Sequence, residues 1–477
     1  MADLVVASNR GPISFDTDDS GELAGRRGGG GLVSGLTSVA GSTDVLWVCA
    51  ALSDTDRRAA ATAPAGRLDR AGHDTGDTAV RMLAIPPVTF HRAYNVIANS
   101  TLWFVHHMLY DTPRRPVFDA GFRAAWEGYV EYNRAFADAL AEEAAPGAKV
   151  MIQDYHLTLA PRMLRERRPD VRIAHFSHTP WAPPDYFRML PDDVGRELLD
   201  GMLGADHTGF LSPRWARAFG ACCVDVLGAK VDEDAATITY EGRTTSQGIH
   251  PLGSDRAFLE ARAAEPDVAS RMRTLREQVG DRKLLVRVDR TELSKNIVRG
   301  LAAYRELLRT RPEWRGNVVH LAFAYPSRHD LPEYREYTAS VQRLAGEIEN
   351  EFATPEWRPL LLQVDDDFAR SLAAYRLADV LLVNPIRDGM NLVAKEGPVL
   401  SERGVALVLS QEAGAYDELG ADAVCVNPYD VSGTADALHE ALCMPADERG
   451  RRCTRLARAA TRLPPARWFA DQVAALD

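Results

Sequence analysis

The chain has 477 residues, 46% hydrophobic and 26% charged, a globular balance long enough for two substantial cores, and two α/β domains are the default expectation. A net charge of -11 argues against a general nucleic-acid binder, which needs a concentrated cationic surface, so any anionic ligand must meet cations clustered locally. No stretch reaches the roughly 18 apolar residues of a membrane span, and the chain begins on a strand-like run instead of a charged leader, so a cytoplasmic protein is expected.

In chain order, Leu4-Val5-Val6-Ala7 reads as the first strand, closed by Ser8-Asn9-Arg10-Gly11-Pro12. The run Gly28-Gly29-Gly30-Gly31 before Leu32 opens a helix and lets backbone approach a ligand closely, though a flexible surface loop would look similar. Residues 59–77, rich in Ala, Arg, Gly and Asp without periodicity, read as a surface excursion and not a site. The strands Val150-Met151-Ile152 and Ile173-Ala174-His175-Phe176 are followed by Asp154 and His178, both expected to face a crevice. A lone histidine after a strand is more often a satisfied core residue than a catalytic one. Neither residue has a serine or cysteine nucleophile in recognisable spacing, and His106 and His107, adjacent on a helix, would point apart. The six cysteines form no CxxC or metal spacing and are expected as buried free thiols.

A domain boundary is expected near Gly248 to Gly253, dividing residues 1–250 from 251–455, with a last helix over about 456–477 packing back on the first domain. The second half repeats the alternation of apolar strands and helices through Leu284 to Val288, Val318 to Phe323, Ala378 to Val383 and Ala406 to Leu409, the pattern of parallel sheets covered on both faces. Arg290 and Lys295 follow the first of these strands, and two cations at a strand's carboxyl end suit a diphosphate. A solvated Arg and Lys would look the same in sequence. After the strand ending at Val383, Gly389 provides a turn, and free backbone N–H groups near Asn391, Leu392 and Val393 would point at an anion. Glu396, about one helical turn further on, can accept hydrogen bonds from both hydroxyls of a ribose. An ordinary strand–turn–helix with a surface glutamate is the plain alternative.

Taken together, several blocks resemble the trehalose-6-phosphate synthase family. They are Ser8-Asn9-Arg10, the glycine loop before Leu32, Tyr94-Asn95 with Leu102-Trp103, Asp154-Tyr155-His156, His178-Thr179-Pro180, Arg290 with Lys295, Pro326-Ser327-Arg328, and Asp388-Gly389-Met390-Asn391-Leu392-Val393-Ala394-Lys395-Glu396. The resemblance implies an α/β fold of two Rossmann-like domains with parallel sheets facing across a central crevice, the GT-B type. It also implies a retaining glycosyltransferase that moves glucose from a nucleoside-diphosphate glucose to glucose 6-phosphate. By the same resemblance the diphosphate falls to Arg290, Lys295 and the backbone at Asn391, Leu392 and Val393, the ribose to Glu396, and the glucosyl ring to Asp388 and His178. The acceptor's phosphate falls to Arg10, Tyr94, Trp103 and Arg328, its sugar to Asp154, and Gly31 lies near both ligands. The implied mechanism needs no metal or other cofactor, nucleic acid or membrane, and admits a homo-oligomer. No phosphatase domain is seen, so another protein is expected to dephosphorylate the product.

The run Val364-Asp365-Asp366-Asp367-Phe368 departs from familiar members. A carboxylate there, Asp366 in particular, could accept hydrogen bonds from the N1–H and amine of guanine, a modest lean towards GDP-glucose over UDP-glucose. Capping of the following helix is the alternative. Two rival functions remain: a pseudo-glycosyltransferase that joins cyclitol units through a C–N bond, and a non-catalytic sugar-phosphate sensor. Retention of Asp388, Asn391 and His178 argues against the first, and of Arg290, Lys295 and Glu396 against the second.

Overall fold

The structure, a computed structural model, describes residues 1–18, 21–27, 45–76, 78–328 and 330–477. It divides into two units, Met1–Pro251 with Pro465–Asp477, and Leu252–Pro464. In each unit the continuous apolar runs form the central strands, because a parallel strand covered on both faces by helices has no solvent side to furnish with polar residues.

The first unit contains β1 (Ala2–Ser8), the hairpin β2 (Ile13–Thr17) and β3 (Leu23–Arg27), then β4 (Val45–Ala50), β5 (Ala79–Leu83), β6 (Ala144–Gln153), β7 (Arg172–Ser177), β8 (His207–Phe210), β9 (Lys230–Asp232), β10 (Thr237–Tyr240) and β11 (Arg243–Ile249). Among the described residues nine of these form one sheet in the order β5-β4-β1-β6-β7-β8-β11-β10-β9. The pairings are parallel from β5 through to β11, and β10 and β9 add an antiparallel edge. The chain's last helix, Pro465–Ala474, belongs to this unit. Trp468 is 1% exposed, donates its indole N–H to the His250 carbonyl at 2.9 Å and meets the Phe176 ring edge-on at 5.0 Å.

The second unit contains β12 (Lys283–Arg290), β13 (Val318–Tyr325), β14 (Leu360–Gln363), β15 (Val380–Val383), β16 (Ala406–Ser410) and β17 (Val424–Val426). They form a wholly parallel sheet in the order β14-β13-β12-β15-β16-β17. Its core joins Leu285 and Leu382 of the strands to Leu301, Tyr304 and Leu438 of the covering helices. The first helix of the unit, Arg256–Ala263, is capped by Asp255, whose carboxylate accepts from the Phe258 N–H at 3.0 Å.

Both sheets share one topological feature. The first strand of the series lies beside the fourth, β1 beside β6 and β12 beside β15, and the winding reverses there. Loops leaving the carboxyl ends of those strands diverge and open a crevice, the place where open α/β sheets bind ligands.

Of the expected surface excursion over residues 59–77, most described residues are exposed or half-buried, but residues 59, 60, 63, 67 and 68 are buried and residue 77 lies outside the described residues. The helix Asp54–Thr62 runs through the first of them, Leu68 is fully buried, and Arg67 is clasped by Asp69 and Glu143 with N–O distances of 2.9 Å each. Alanine and arginine give little periodic signal, and the arginine's partner lies far along the chain, so the burial was invisible in sequence. The cysteines are all free thiols, but only four are buried; Cys443 is exposed and Cys425 half-buried.

Candidate active site

At the switch point of the second unit, Arg290 ends β12 and Lys295 ends the short 3-10 turn Leu293–Lys295. The loop after β15 lies against them, the Ile386 N–H donating to the Ser294 carbonyl at 2.8 Å. Lys295 Nζ reaches Asp388 Oδ2 at 2.6 Å, and Asn391 Nδ2 donates to the same oxygen at 3.1 Å. Burial alone would discharge Lys295, but Asp388, Asp289 and Glu292 outweigh it and hold the ammonium above its usual pKa. Beneath the pair, fully buried Arg287 binds Asp289 at 2.7 Å and donates to the Lys295 carbonyl at 3.0 Å, fixing the turn from below.

The turn itself differs from expectation in one residue. The left-handed backbone lies at Asn391, with φ 77°, and not at Gly389. Asparagine tolerates this conformation because its short amide finds local partners, here the Ala394 N–H at 3.2 Å and the Asp388 carboxylate. The Lys395 and Glu396 N–H groups donate to the Leu392 carbonyl at 2.9 and 2.8 Å as the helix Val393–Leu400 begins. The loop is also pressed from the far side: a Cβ on Gly414 would stand 1.8 Å from the Gly389 carbonyl oxygen, so only glycine fits there.

Glu396 lies in the first turn of that helix. Burial pushes its carboxyl up to about 7, against a smaller opposing effect of the Tyr375 hydroxyl. Arg290 is half-exposed, while Glu292, two residues on, is fully buried and was missed by sequence reasoning. Its carboxylate lies 3.1 Å from Arg290 Nη1, accepts from Ser327 Oγ at 3.0 Å and stands 3.9 Å from Arg328 Nη1. Burial opposes the charge, yet Arg290, Arg328 and Lys295 hold the carboxyl down at about 2. The only sequence signal was an acidic residue set between two cations. Arg328 adopts φ 46° and donates to the Tyr334 hydroxyl at 2.7 Å. Of the acidic run, Asp367 caps the helix Phe368–Leu377 through the Arg370 N–H at 2.9 Å and pairs with Arg271, while Asp365 and Asp366 are exposed.

In the first unit the reversal between β1 and β6 brings together a second set. Asp154 follows β6 with φ 74°, and its Oδ1 accepts from the His178 N–H at 3.2 Å. His178 Nε2 donates to Gln153 Oε1 at 2.9 Å, and burial, helped by neighbouring His175, lowers the imidazole to about 3, so it is neutral. Gln153, fully buried, was quoted in the sequence but given no role. Asp154 Oδ2 lies 3.7 Å from His156, whose ring stacks on Tyr94 with centroids 5.7 Å apart. Tyr94 stacks in turn on Phe90 at 5.1 Å, and Trp103 on His107 at 3.8 Å. His106 instead meets Trp181, so the two adjacent histidines do take different partners. Arg10 is exposed just past β1, where Asn9 beside it accepts from the Tyr132 hydroxyl at 2.6 Å. Gly31 and the rest of the glycine run lie outside the described residues. Among the described residues no group of three or more His, Cys, Asp or Glu stands where it could hold a metal ion, and no helix is long and apolar enough to cross a membrane.

Two doubly wound sheets, each with polar and charged side chains gathered at its switch point, have the architecture of a retaining glycosyltransferase of the GT-B class. The model described as glycosyltransferase family 20 matches residues 2–477, and the chain belongs to that family. It is 33% identical, over 99% of its own length and 96% of the relative's, to an α,α-trehalose-phosphate synthase (UDP-forming) 2 from Aspergillus niger. It is also 33% identical to a bifunctional trehalose-6-phosphate synthase/phosphatase from Thermoproteus tenax, matching over 99% of its own length but spanning only 63% of that protein. A validamine 7-phosphate valienyltransferase from Streptomyces hygroscopicus subsp. jinggangensis is 30% identical over 95% of this chain and 90% of its own. Among solved structures, a trehalose-6-phosphate protein from E. coli bound with UDP-2-fluoro glucose superposes with a TM-score of 0.85 at 28% identity, covering 98% of both chains. An α,α-trehalose-phosphate synthase (UDP-forming) from Burkholderia xenovorans in complex with glucose-6-phosphate gives 0.85 at 27% identity, covering 99% of both.

Proposed function

We propose that this chain is an α,α-trehalose-6-phosphate synthase, transferring glucose with retention from a nucleoside-diphosphate glucose to glucose 6-phosphate. The observation that carries the reading is the Lys295–Asp388 pair at the second unit's switch point, with Arg290 beside it on the end of β12. In this reading the second unit binds the nucleotide sugar and the first carries most of the acceptor contacts.

Arg290, Lys295 and the backbone N–H groups of Asn391, Leu392 and Val393 take the diphosphate, and Glu396 takes the ribose hydroxyls. Asp388 and neutral His178 hold the glucosyl ring. Arg10, Tyr94, Trp103 and Arg328 serve the acceptor's phosphate and Asp154 its sugar, with Gly31 near both ligands. As the bond from glucosyl C1 to the phosphate oxygen stretches, negative charge gathers on the departing diphosphate, where fixed cations and amide dipoles stabilise it without reorganising. The acceptor hydroxyl attacks C1 from the leaving-group face, and its proton passes to an oxygen of the departing diphosphate. No step of this mechanism draws on a metal or other cofactor.

UDP-glucose is proposed as the donor, supported by the UDP-forming names of the relatives. GDP-glucose is the second donor to test, because Asp367 is committed to capping while Asp366 stays exposed and could still receive guanine's donors. The valienyltransferase relative favours one other reading, transfer between cyclitols with C–N bond formation. The test is to offer UDP-glucose and GDP-glucose separately with glucose 6-phosphate and to identify products by mass spectrometry and nucleoside-diphosphate release. Trehalose 6-phosphate with either donor supports the synthase and names the base; no product with either, but turnover of a cyclitol pair, replaces it.

A further inference from the structure

Glu292 has the geometry of a hub. It lies in the loop after β12, with its N–H donating to the Arg290 carbonyl at 2.7 Å and its own carbonyl accepting from the Lys295 N–H at 3.0 Å. The side chain is wholly buried, a costly position for a carboxylate unless cations surround it. Two guanidiniums approach it from different stretches of chain: Arg290 from the end of β12, 3.1 Å from Oε1, and Arg328 from the loop after β13, 3.9 Å from Oε2. Ser327 Oγ donates to Oε1 and fixes the carboxylate's orientation.

We propose that Glu292 is a positioning residue that holds the donor-phosphate arginine and the acceptor-phosphate arginine on one buried carboxylate, so that both phosphate sites depend on a single side chain. The inference rests on the synthase reading above for what Arg290 and Arg328 bind. Each guanidinium has five N–H donors in a rigid fork. Ion pairing to Glu292, at 3.1 Å for Arg290 and 3.9 Å for Arg328, draws both guanidiniums to one place, Arg328 being further fixed by its hydrogen bond to the Tyr334 hydroxyl, and leaves donors on each for a phosphate. Arginine loses rotamer freedom when it binds an anion, and a fork already held in place has less to lose.

Two physical effects of removing the carboxylate oppose each other, which makes the proposal decidable. Losing a nearby negative charge would, by Coulomb attraction alone, make both arginines better anion binders. Losing the anchor would let both side chains wander and bind worse. The positioning role requires that the second effect win at both sites at once.

The experiment measures binding of UDP-glucose and of glucose 6-phosphate separately by calorimetry, alongside kcat and each KM, for wild type, Glu292→Gln, Arg290→Lys and Arg328→Lys. Glu292→Gln is expected to weaken both ligands by about tenfold, with both KM values rising together. Arg290→Lys should weaken UDP-glucose alone and Arg328→Lys glucose 6-phosphate alone. Unchanged or tighter binding of either ligand by Glu292→Gln overturns the proposal. If Glu292→Gln does not fold, Ser327→Ala decides: it keeps every charge and should give the same paired weakening at smaller size, and wild-type affinity for either ligand overturns the proposal. Wild-type protein that binds neither ligand overturns the synthase reading and this inference with it, whereas wild-type binding with an unaffected Glu292→Gln sinks the hub alone.

Discussion

Lys295 Nζ lies 2.6 Å from Asp388 Oδ2, an ion pair that ties the loop after β12 to the loop after β15 across the reversal of the second sheet. Both side chains are about 15% exposed, so each is the other's main compensation for lost water. Lys295→Met is expected to lower kcat by about 100-fold or more, and to cost roughly 1–3 kcal/mol of stability by stranding Asp388. Turnover and urea unfolding measured on the same preparation check both halves. Full turnover in the variant would remove Lys295 from the mechanism.

Arg290 links chemistry to stability. Its side chain is 56% exposed, but the Glu292 carboxylate it neutralises is wholly buried. Arg290→Ala is expected to cost about 100- to 1000-fold in turnover and roughly 1–3 kcal/mol in unfolding, because Glu292 loses its nearest cation. An alanine enzyme with wild-type turnover would end the assignment of Arg290 to the diphosphate.

With Glu396 on the donor's ribose, as proposed, donor binding is expected to depend on pH. Its carboxyl is raised to about 7 in the folded protein, so below that value the free protein carries a proton that must leave before the ribose hydroxyls can donate to it. UDP-glucose affinity should thus rise with pH through 7 and level off above it, measured by calorimetry over about pH 5–8, where the donor itself does not titrate. The sign for stability is opposite. A raised folded pKa gives a contribution present below the unfolded value and lost as pH climbs through 7, so Glu396→Gln should unfold at higher temperature than wild type at alkaline pH and not at acid pH. The same variant should flatten the binding profile.

His178 should be silent over the same range. Burial lowers it to about 3, and Gln153 accepts from its Nε2, so the neutral ring persists throughout and adds no limb to kcat/KM. Gln153→Glu puts a carboxylate where the amide oxygen was and should raise His178, bringing its ring signals into titration by NMR and adding a pH limb. A His178 that titrates near neutrality in the wild-type protein would contradict the geometry.

The elements that were legible in sequence are those whose physics is local. β12 and β15 read as strands because parallel strands buried on both faces are continuous apolar runs, and Arg290 and Lys295 stood out because they follow such a run. The aromatic set of Tyr94 and Trp103 came through resemblance to a family, since nothing in the spacing of a tyrosine and a tryptophan announces a stack on His156 or His107. What sequence hid was long-range. Glu292 stands out only once it is seen to be wholly buried beside Arg328, which lies 36 residues later in the numbering and on another strand's loop. Asn391, and not Gly389, took the left-handed position, because its amide has partners on both sides of the turn. Arg67 looked like part of a surface run until Glu143 closed on it.

The return of Pro465–Asp477 to the first unit bears on how the chain is made. Trp468 and Phe469 are buried there, against a sheet whose strands all come from the first 249 residues. A ribosome delivers those strands well before this helix, which emerges only after the whole of residues 252–464. The first unit therefore waits, with the groove for Trp468 uncovered, until every residue of the second unit has been made.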